Sequence, residues 1–229
     1  MPFLSGINKK DIVGFGQQGT VYLDNGFAYK EMHDSWSDSQ AARAENIHSH
    51  LNRYDIPTYD YFEVDRENHR YKMTDISDNK KNLVASMQDI WKLDYAQRAS
   101  WFQGVFGRRI VDVTSFLDEN RKTMKKLIDS NTYARLPGLL LVVTPSGKAS
   151  MLLADYDDGI ILDGSPRMSE EKIIDMTKTY CIFLTEVFAK FFPKNKEIIN
   201  DEIEAFINLY INHSSLKEDL VSEFISSNS

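Results

Sequence analysis

The sequence predicts an α+β fold in which a small antiparallel sheet with one helix precedes a mainly helical part. Three observations carry this. Short runs of β-branched and aromatic residues broken by Gly, Asn and Asp turns occupy much of the first 76 residues. One segment among them, from Ser35 to Tyr54, has helical apolar spacing instead. Beyond residue 83 helical periodicity dominates, interrupted by one pair of short apolar runs.

The first element is a hairpin with an unusual entry. Gly14, Gly16 and Gly19 stand at G-x-G-x-x-G spacing. That spacing also marks dinucleotide-binding folds, where the last glycine opens a helix. Here Thr20-Val-Tyr-Leu follows, Asp24-Asn25-Gly26 supplies a turn with positive φ, and Phe27-Ala-Tyr-Lys30 alternates again. The glycines therefore cap a β-hairpin that ends on a lysine. Strand, glycine loop, strand, turn and strand with a terminal lysine resembles the N-lobe of protein kinases. Gly14, Gly16, Gly19, Val21 and Lys30 match that family's G-x-G-x-x-G-x-V and V-A-I-K positions. The resemblance implies a bilobal protein kinase-like fold that binds ATP with Mg²⁺. The loop would cover the phosphates and Lys30 would contact the α- and β-phosphates.

The following elements keep the kinase order. The helix from Ser35 to Tyr54 has Ser37 or Asp38 as N-cap and Ala41, Ala44, Ile47, His48 and Leu51 near helical spacing. In kinases a glutamate of this helix holds the hairpin lysine, and Glu45 is the best match; a solvated helix carboxylate is the plainer reading. Thr58 to Val64 and Arg70 to Ile76 read as a second strand pair around a polar turn. On the resemblance, residues 1–76 form the N-lobe, the polar stretch 77–82 the hinge linker, with Met73 to Ile76 nearest the base, and 83–229 a reduced, mainly helical C-lobe.

In that second part the pattern turns helical from Leu83 onward, and Ile110, Val113, Leu117, Met124, Leu127 and Ile128 make one apolar stripe on a long helix. Trp91 and Trp101 read as packing residues. Leu139 to Val143 and Ser150 to Ala154 read as short buried strands joined by a turn, and they end in Asp155-Tyr156-Asp157-Asp158-Gly159. In kinases the aspartate after this hairpin is the D-F-G aspartate that holds Mg²⁺. Asp155 is its best match, with Tyr156 for the phenylalanine and Asp157 for the glycine. Asp157 or Asp158 would supply a ligand if the strand ran two residues longer, because Mg²⁺ takes one or two carboxylates together with phosphate oxygens. Glu171 to Phe188 is a strongly apolar helix whose Asp175 matches the family's brace for the catalytic loop. Asn200 to Tyr210 and Leu216 to Ile225 are amphipathic helices, and Ser226 to Ser229 reads as a frayed tail.

The departure from the family lies between the long helix and the strand at Leu139. Where H-R-D-x-x-x-x-N belongs, the chain reads Asn131-Thr-Tyr-Ala-Arg-Leu-Pro-Gly138. Neither the catalytic base nor the second metal ligand is in register. Asp129 and Asn131 are substitutes if the loop is remodelled. Only 20 residue steps separate Asp155 from Asp175, which leaves little room for an activation segment. In compactness the chain resembles small bacterial effector kinases or pseudokinases. That implies phosphoryl or nucleotidyl transfer to a protein substrate or, alternatively, a catalytically inactive binding or allosteric module. A small-molecule phosphotransferase is a third possibility, weakened because that class also uses a catalytic-loop aspartate.

Composition agrees with an ordinary globular chain. Of its 229 residues 42% are hydrophobic and 27% charged. A net charge of −7 argues against a general nucleic-acid-binding surface. The single Cys181 excludes an intramolecular disulfide and lies in an apolar run, as a core residue does. No apolar stretch approaches a membrane span, and Met1 to Ser5 lacks the features of a classical signal peptide. The expected location is the cytoplasm or, on the effector resemblance, the cytosol of a host cell.

Overall fold

The computed structural model describes residues 12–15, 19–33, 36–78, 81–86, 112–135, 138–156, 159–162, 164, 167–185 and 193–226. Five strands build the first sheet: β1 (Ile12–Phe15), β2 (Gly19–Asp24), β3 (Phe27–Met32), β4 (Phe62–Asp65) and β5 (Arg70–Thr74). Their order is β1-β2-β3-β5-β4, and every neighbouring pair is antiparallel. The β2–β3 turn is tight because Asn25 and Gly26 both take positive φ, at 48° and 80°. Such two-residue turns match the twist of the strands they join.

Alternation along the strands separates two faces. Val21, Lys30, Tyr71 and Val64 lie abreast on one face, by register. This is the face joined to helix α1 (Asp38–Arg53), which buries Ala41, Ala44, Ile47 and Leu51. Ala28, Tyr71 and Met73 share one core with that stripe. Ser37 is the N-cap. Its hydroxyl accepts from the Gln40 backbone while the Gln40 side chain accepts from the Ser37 N–H, a reciprocal capping box.

The rest of the described chain is α2 (Val113–Asp129), β7 (Thr132–Ala134), β8 (Leu139–Val143), β9 (Ala149–Leu153), β10 (Ile160–Leu162), α3 (Glu170–Phe183), α4 (Lys196–Tyr210) and α5 (Ser214–Ser226), with β6 (Leu83–Ser86) before α2. The helical pattern expected from Leu83 is corrected at its start. Residues 83–86 are a strand that pairs with β8, which pairs in turn with β9. A four-residue apolar run has no period of its own, and the pairing with β8 decides its state. Trp91, Trp101 and Ile110 lie outside the described residues. The long helix stands at 113–129, with Phe116, Leu117, Met124 and Leu127 buried. Two three-residue strands not expected from the sequence, β7 and β10, pair antiparallel with Ala134 opposite Ile160.

Helices α3 and α4 pack through Tyr180 against Phe206, with ring centroids 4.6 Å apart. Cys181 is fully buried there, and burial pushes its thiol up to about 12. Among the described residues no helix is long and apolar enough to cross a membrane.

Candidate functional site

Lys30 is central in its sheet, with Val21 of β2 on one side and Tyr71 of β5 on the other. Its side chain leaves the α1 side of the sheet and meets a residue 125 positions later. Lys30 Nζ donates to Asp155 Oδ1 at 3.4 Å. The two side chains keep 19% and 27% of their exposure, so the pair is neither sealed nor free in solvent. An ammonium beside a carboxylate at this depth has the donor set for a nucleotide phosphate with its cation: positive charge for phosphate oxygens, and hard oxygen for Mg²⁺.

Several contacts fix Asp155. It follows β9 directly, and β9 is held by β8 over five residue pairs from Leu139–Leu153 to Val143–Ala149. The loop after α1 adds to the end of β9: Leu153 N–H donates to Pro57 O at 2.9 Å and Thr58 Oγ1 donates to Leu153 O at 2.8 Å. On the other side Tyr156 is buried, its ring 4.8 Å from Phe62 and 5.8 Å from Tyr59. The chain then returns at Gly159, whose carbonyl accepts from Arg135 N–H at 2.8 Å.

The glycine loop is seen at its two ends. Gly14 lies in β1 opposite Val21, after a register irregularity between Ile12 and Gly14. Gly16 lies outside the described residues. Gly19 opens β2 where that strand crosses β3 so closely that a Cβ would stand 2.6 Å from Glu31 O. Its place is therefore dictated by backbone contact, and Val21 follows on the Lys30 face.

A glycine-capped hairpin, a lysine on the third strand, one helix, two further strands and a second hairpin that delivers an aspartate to that lysine occur here in one chain order. The fold is kinase-like. No protein-family model and no curated protein matches the chain. Among solved structures it is similar to aerobactin synthetase IucC from a hypervirulent pathotype of Klebsiella pneumoniae, at 10% identity and TM-score 0.48 over 91% of this chain. The chain spans 47% of that synthetase. It is similar to the Legionella pneumophila Lpg2603 kinase bound to IP6, at 14% identity and TM-score 0.42, over 95% of this chain and 81% of that one. It is also similar to the Helicobacter pylori proinflammatory kinase CtkA, at 8% identity and TM-score 0.39, over 96% and 90% of the two chains.

Two expected site residues stand elsewhere. Both carboxylate oxygens of Glu45 accept from Arg66, at 3.0 and 2.7 Å, on the exposed side of α1. Glu45 is thus not the partner of Lys30, since the bidentate fork of Arg66 in the β4–β5 turn takes both its oxygens. Asp129 ends α2 in an exposed ion pair with Lys125 at 2.6 Å, and its charge is felt by Tyr210 of α4. The helix runs through Asp129 and turns its carboxylate toward the helical side of the molecule, so it is not brought to Lys30. Asp157 and Asp158 lie outside the described residues. Among the described residues no three His, Cys, Asp or Glu side chains cluster as a metal site.

Asp175 does meet the segment that stands in the catalytic-loop place, but through a side chain, accepting a hydrogen bond from the Tyr133 hydroxyl. Burial and this carboxylate together raise the Tyr133 pKa. The contacts of α1 have no sequence signal beyond residue type. Arg43 donates to Ile160 O at 3.1 Å, His48 Nδ1 lies 3.0 Å from the Tyr156 hydroxyl, and His50 Nε2 lies 3.1 Å from Ser130 O. Polar residues on the inward half of an amphipathic helix were the available clue.

Proposed function

We propose that this chain binds ATP with Mg²⁺ at Lys30 and Asp155 and transfers a phosphoryl or nucleotidyl group to a protein substrate. The observation that carries the proposal is the Lys30–Asp155 contact between the glycine-capped hairpin and the end of β9. Lys30 would place positive charge on the phosphates, Asp155 would hold the cation, and Gly14, Gly16 and Gly19 would let the backbone lie over the nucleotide. Mg²⁺–ATP itself supplies the transferable group with much of its charge neutralised. Positioning and charge dominate this class of transfer, so a weak or absent base does not by itself preclude it. Asp157 is proposed as a second carboxylate for the cation. The reaction would take place in the cytosol, of the producing cell or, as with the small effectors the chain resembles, of a host.

A pseudokinase is the second reading, and one observation favours it. From Thr132 to Gly138 the chain carries no carboxylate, and Asp129 is directed to Lys125. The test is incubation with Mg²⁺ and ATP labelled separately at the γ- and α-phosphates, with Lys30→Ala and Asp155→Ala in parallel and a thermal-shift titration. Label transfer that needs both residues supports the enzyme, and the labelled phosphate separates the two chemistries. A thermal shift without transfer supports the module; no shift for the unsubstituted protein removes the nucleotide site.

A further inference from the structure

Four side chains link α1 to residues on both sides of Asp155. Asn52 Nδ2 lies 2.9 Å from His48 Nε2, His48 Nδ1 lies 3.0 Å from the Tyr156 hydroxyl, that hydroxyl contacts Thr58 Oγ1, and Thr58 Oγ1 donates to Leu153 O at 2.8 Å. The chemistry of each group fixes the direction of the chain. A carbonyl only accepts, so the one proton of Thr58 goes to Leu153 O. Thr58 must then accept from Tyr156, and the Tyr156 oxygen must accept from His48. That places the imidazole proton on Nδ1 and leaves Nε2 to accept from the Asn52 amide. Each bond has one donor and one acceptor, and the tautomer follows from the network.

The chain ends on the carbonyl two residues before Asp155 and passes through the residue immediately after it. Tyr156 is 3% exposed, and the phenyl ring expected there on the kinase pattern would fill the same space without joining the chain. Burial lowers the pKa of His48, which keeps the neutral ring that the chain requires. Two further side chains fasten the same helix: Arg43 to Ile160 O, and His50 to Ser130 O with Thr132 Oγ1 at 3.1 Å.

We infer that Tyr156, through His48 and Thr58, is a positioning residue that holds the Asp155 carboxylate at Lys30 for the cation of a bound nucleotide. This role rests on the ATP and Mg²⁺ reading above. It assigns to α1 and the loop after it the ordering of Asp155 that a long activation segment would otherwise supply, and it makes the assembled arrangement the resting one.

Two measurements test it on the full chain. In the nucleotide-free protein, imidazole ¹⁵N shifts should show His48 as the Nδ1-protonated neutral tautomer, with the signal displaced in Tyr156→Phe. In binding experiments, the ratio of the ATP Kd in EDTA to that in Mg²⁺ should fall about tenfold in Tyr156→Phe and in Thr58→Val, the scale of one lost hydrogen bond. The Kd in EDTA should stay unchanged in both, whereas a general loss of structure would move it as well. An Nε2-protonated His48 overturns the chain. A folded Tyr156→Phe or Thr58→Val protein with an unchanged ratio overturns the positioning role alone. Failure of the unsubstituted protein to bind ATP overturns the nucleotide reading and this role together, while the tautomer is still read independently.

Discussion

Gly138 and Gly159 meet backbone against backbone. A Cβ on Gly159 would stand 2.3 Å from Gly138 Cα, and one on Gly138 would stand 2.6 Å from Gly159 O. Neither is among the glycines with positive φ, so the restriction is contact and not conformation. At this seam the segment leading into β8 crosses the segment leading into β10. Ala154 N–H donates to Gly138 O at 3.0 Å and Gly138 N–H to Arg135 O at 2.9 Å. The loop that carries Asp155 is closed by it.

Substitution at the seam should therefore be costly. Gly159→Ala has to push two backbones apart, and an overpacked site of this kind costs about 1–3 kcal/mol. Gly164→Ala is the control, because among the described residues nothing lies within 4 Å of the Cβ it would add. Urea denaturation should show a lower midpoint for Gly159→Ala than for Gly164→Ala; equal midpoints would mean that the seam yields freely.

Glu45 leads to the opposite expectation. Its side chain and that of Arg66 keep 42% and 47% of their exposure, so solvent and salt screen the pair. Glu45→Gln and Arg66→Gln should leave the ATP affinity of the unsubstituted protein unchanged, whereas Lys30→Met should remove it. A loss of binding in Glu45→Gln comparable to that in Lys30→Met would mean that Glu45 leaves Arg66 for Lys30 when nucleotide arrives. Isothermal titration of the three variants distinguishes the cases.

The difference between Lys30 and Glu45 shows what the sequence made legible. The two hairpins that carry Lys30 and lead to Asp155 are readable because each has its own local signals: Asn25-Gly26 for the first, and the apolar runs around Pro145-Ser-Gly147 for the second, whereas the contact between the two residues is supplied by the tertiary fold. Glu45 lies on a helix, where periodicity gives the buried stripe of Ala41, Ala44, Ile47 and Leu51 but not the partner of a residue at its border. That partner depends on the length of the β4–β5 turn, which brings Arg66 back over α1. Strands β7 and β10 have three residues each, too few for alternation to register, and they exist through their pairing with one another. The α1 contacts of His48 and His50 are likewise decided by tertiary packing, since a histidine on a helix is read from sequence as surface or core with equal ease.

Asn120 of α2 is 1% exposed, and among the described residues neither its amide nitrogen nor its oxygen has a hydrogen-bond partner. Its helical neighbours Phe116, Leu117 and Met124 are all buried. A buried amide without partners carries its desolvation cost uncompensated. Asn120→Leu, which keeps the branching at Cγ and removes the two polar atoms, should stabilise the protein by about 1–2 kcal/mol, read as a higher melting temperature. A destabilised Asn120→Leu protein would show that the amide is bonded in solution, through an ordered water, or that the site has no room for the larger side chain.

Glu202 supplies a pH dependence whose sign follows from its burial. It is 7% exposed on α4, with Arg121 Nη1 at 3.2 Å and the Tyr180 hydroxyl at 3.5 Å. Arg121 favours the carboxylate, but its guanidinium is 38% exposed and shared with Asp118, so desolvation wins and raises the Glu202 pKa from 4.5 to about 7. A carboxyl whose pKa is higher in the folded state binds its proton more tightly there than in the unfolded chain. Its contribution to stability is fully present below about pH 4.5 and is lost as pH rises through about 7. Across that window the loss is at most ~3 kcal/mol. Glu202→Gln keeps a neutral side chain at every pH, so the difference in unfolding free energy between Glu202→Gln and the unsubstituted protein should grow in favour of the variant from pH 5 to about pH 7.5. A difference that stays flat over this range, measured by urea denaturation at fixed ionic strength, would mean that Arg121 holds Glu202 ionised throughout.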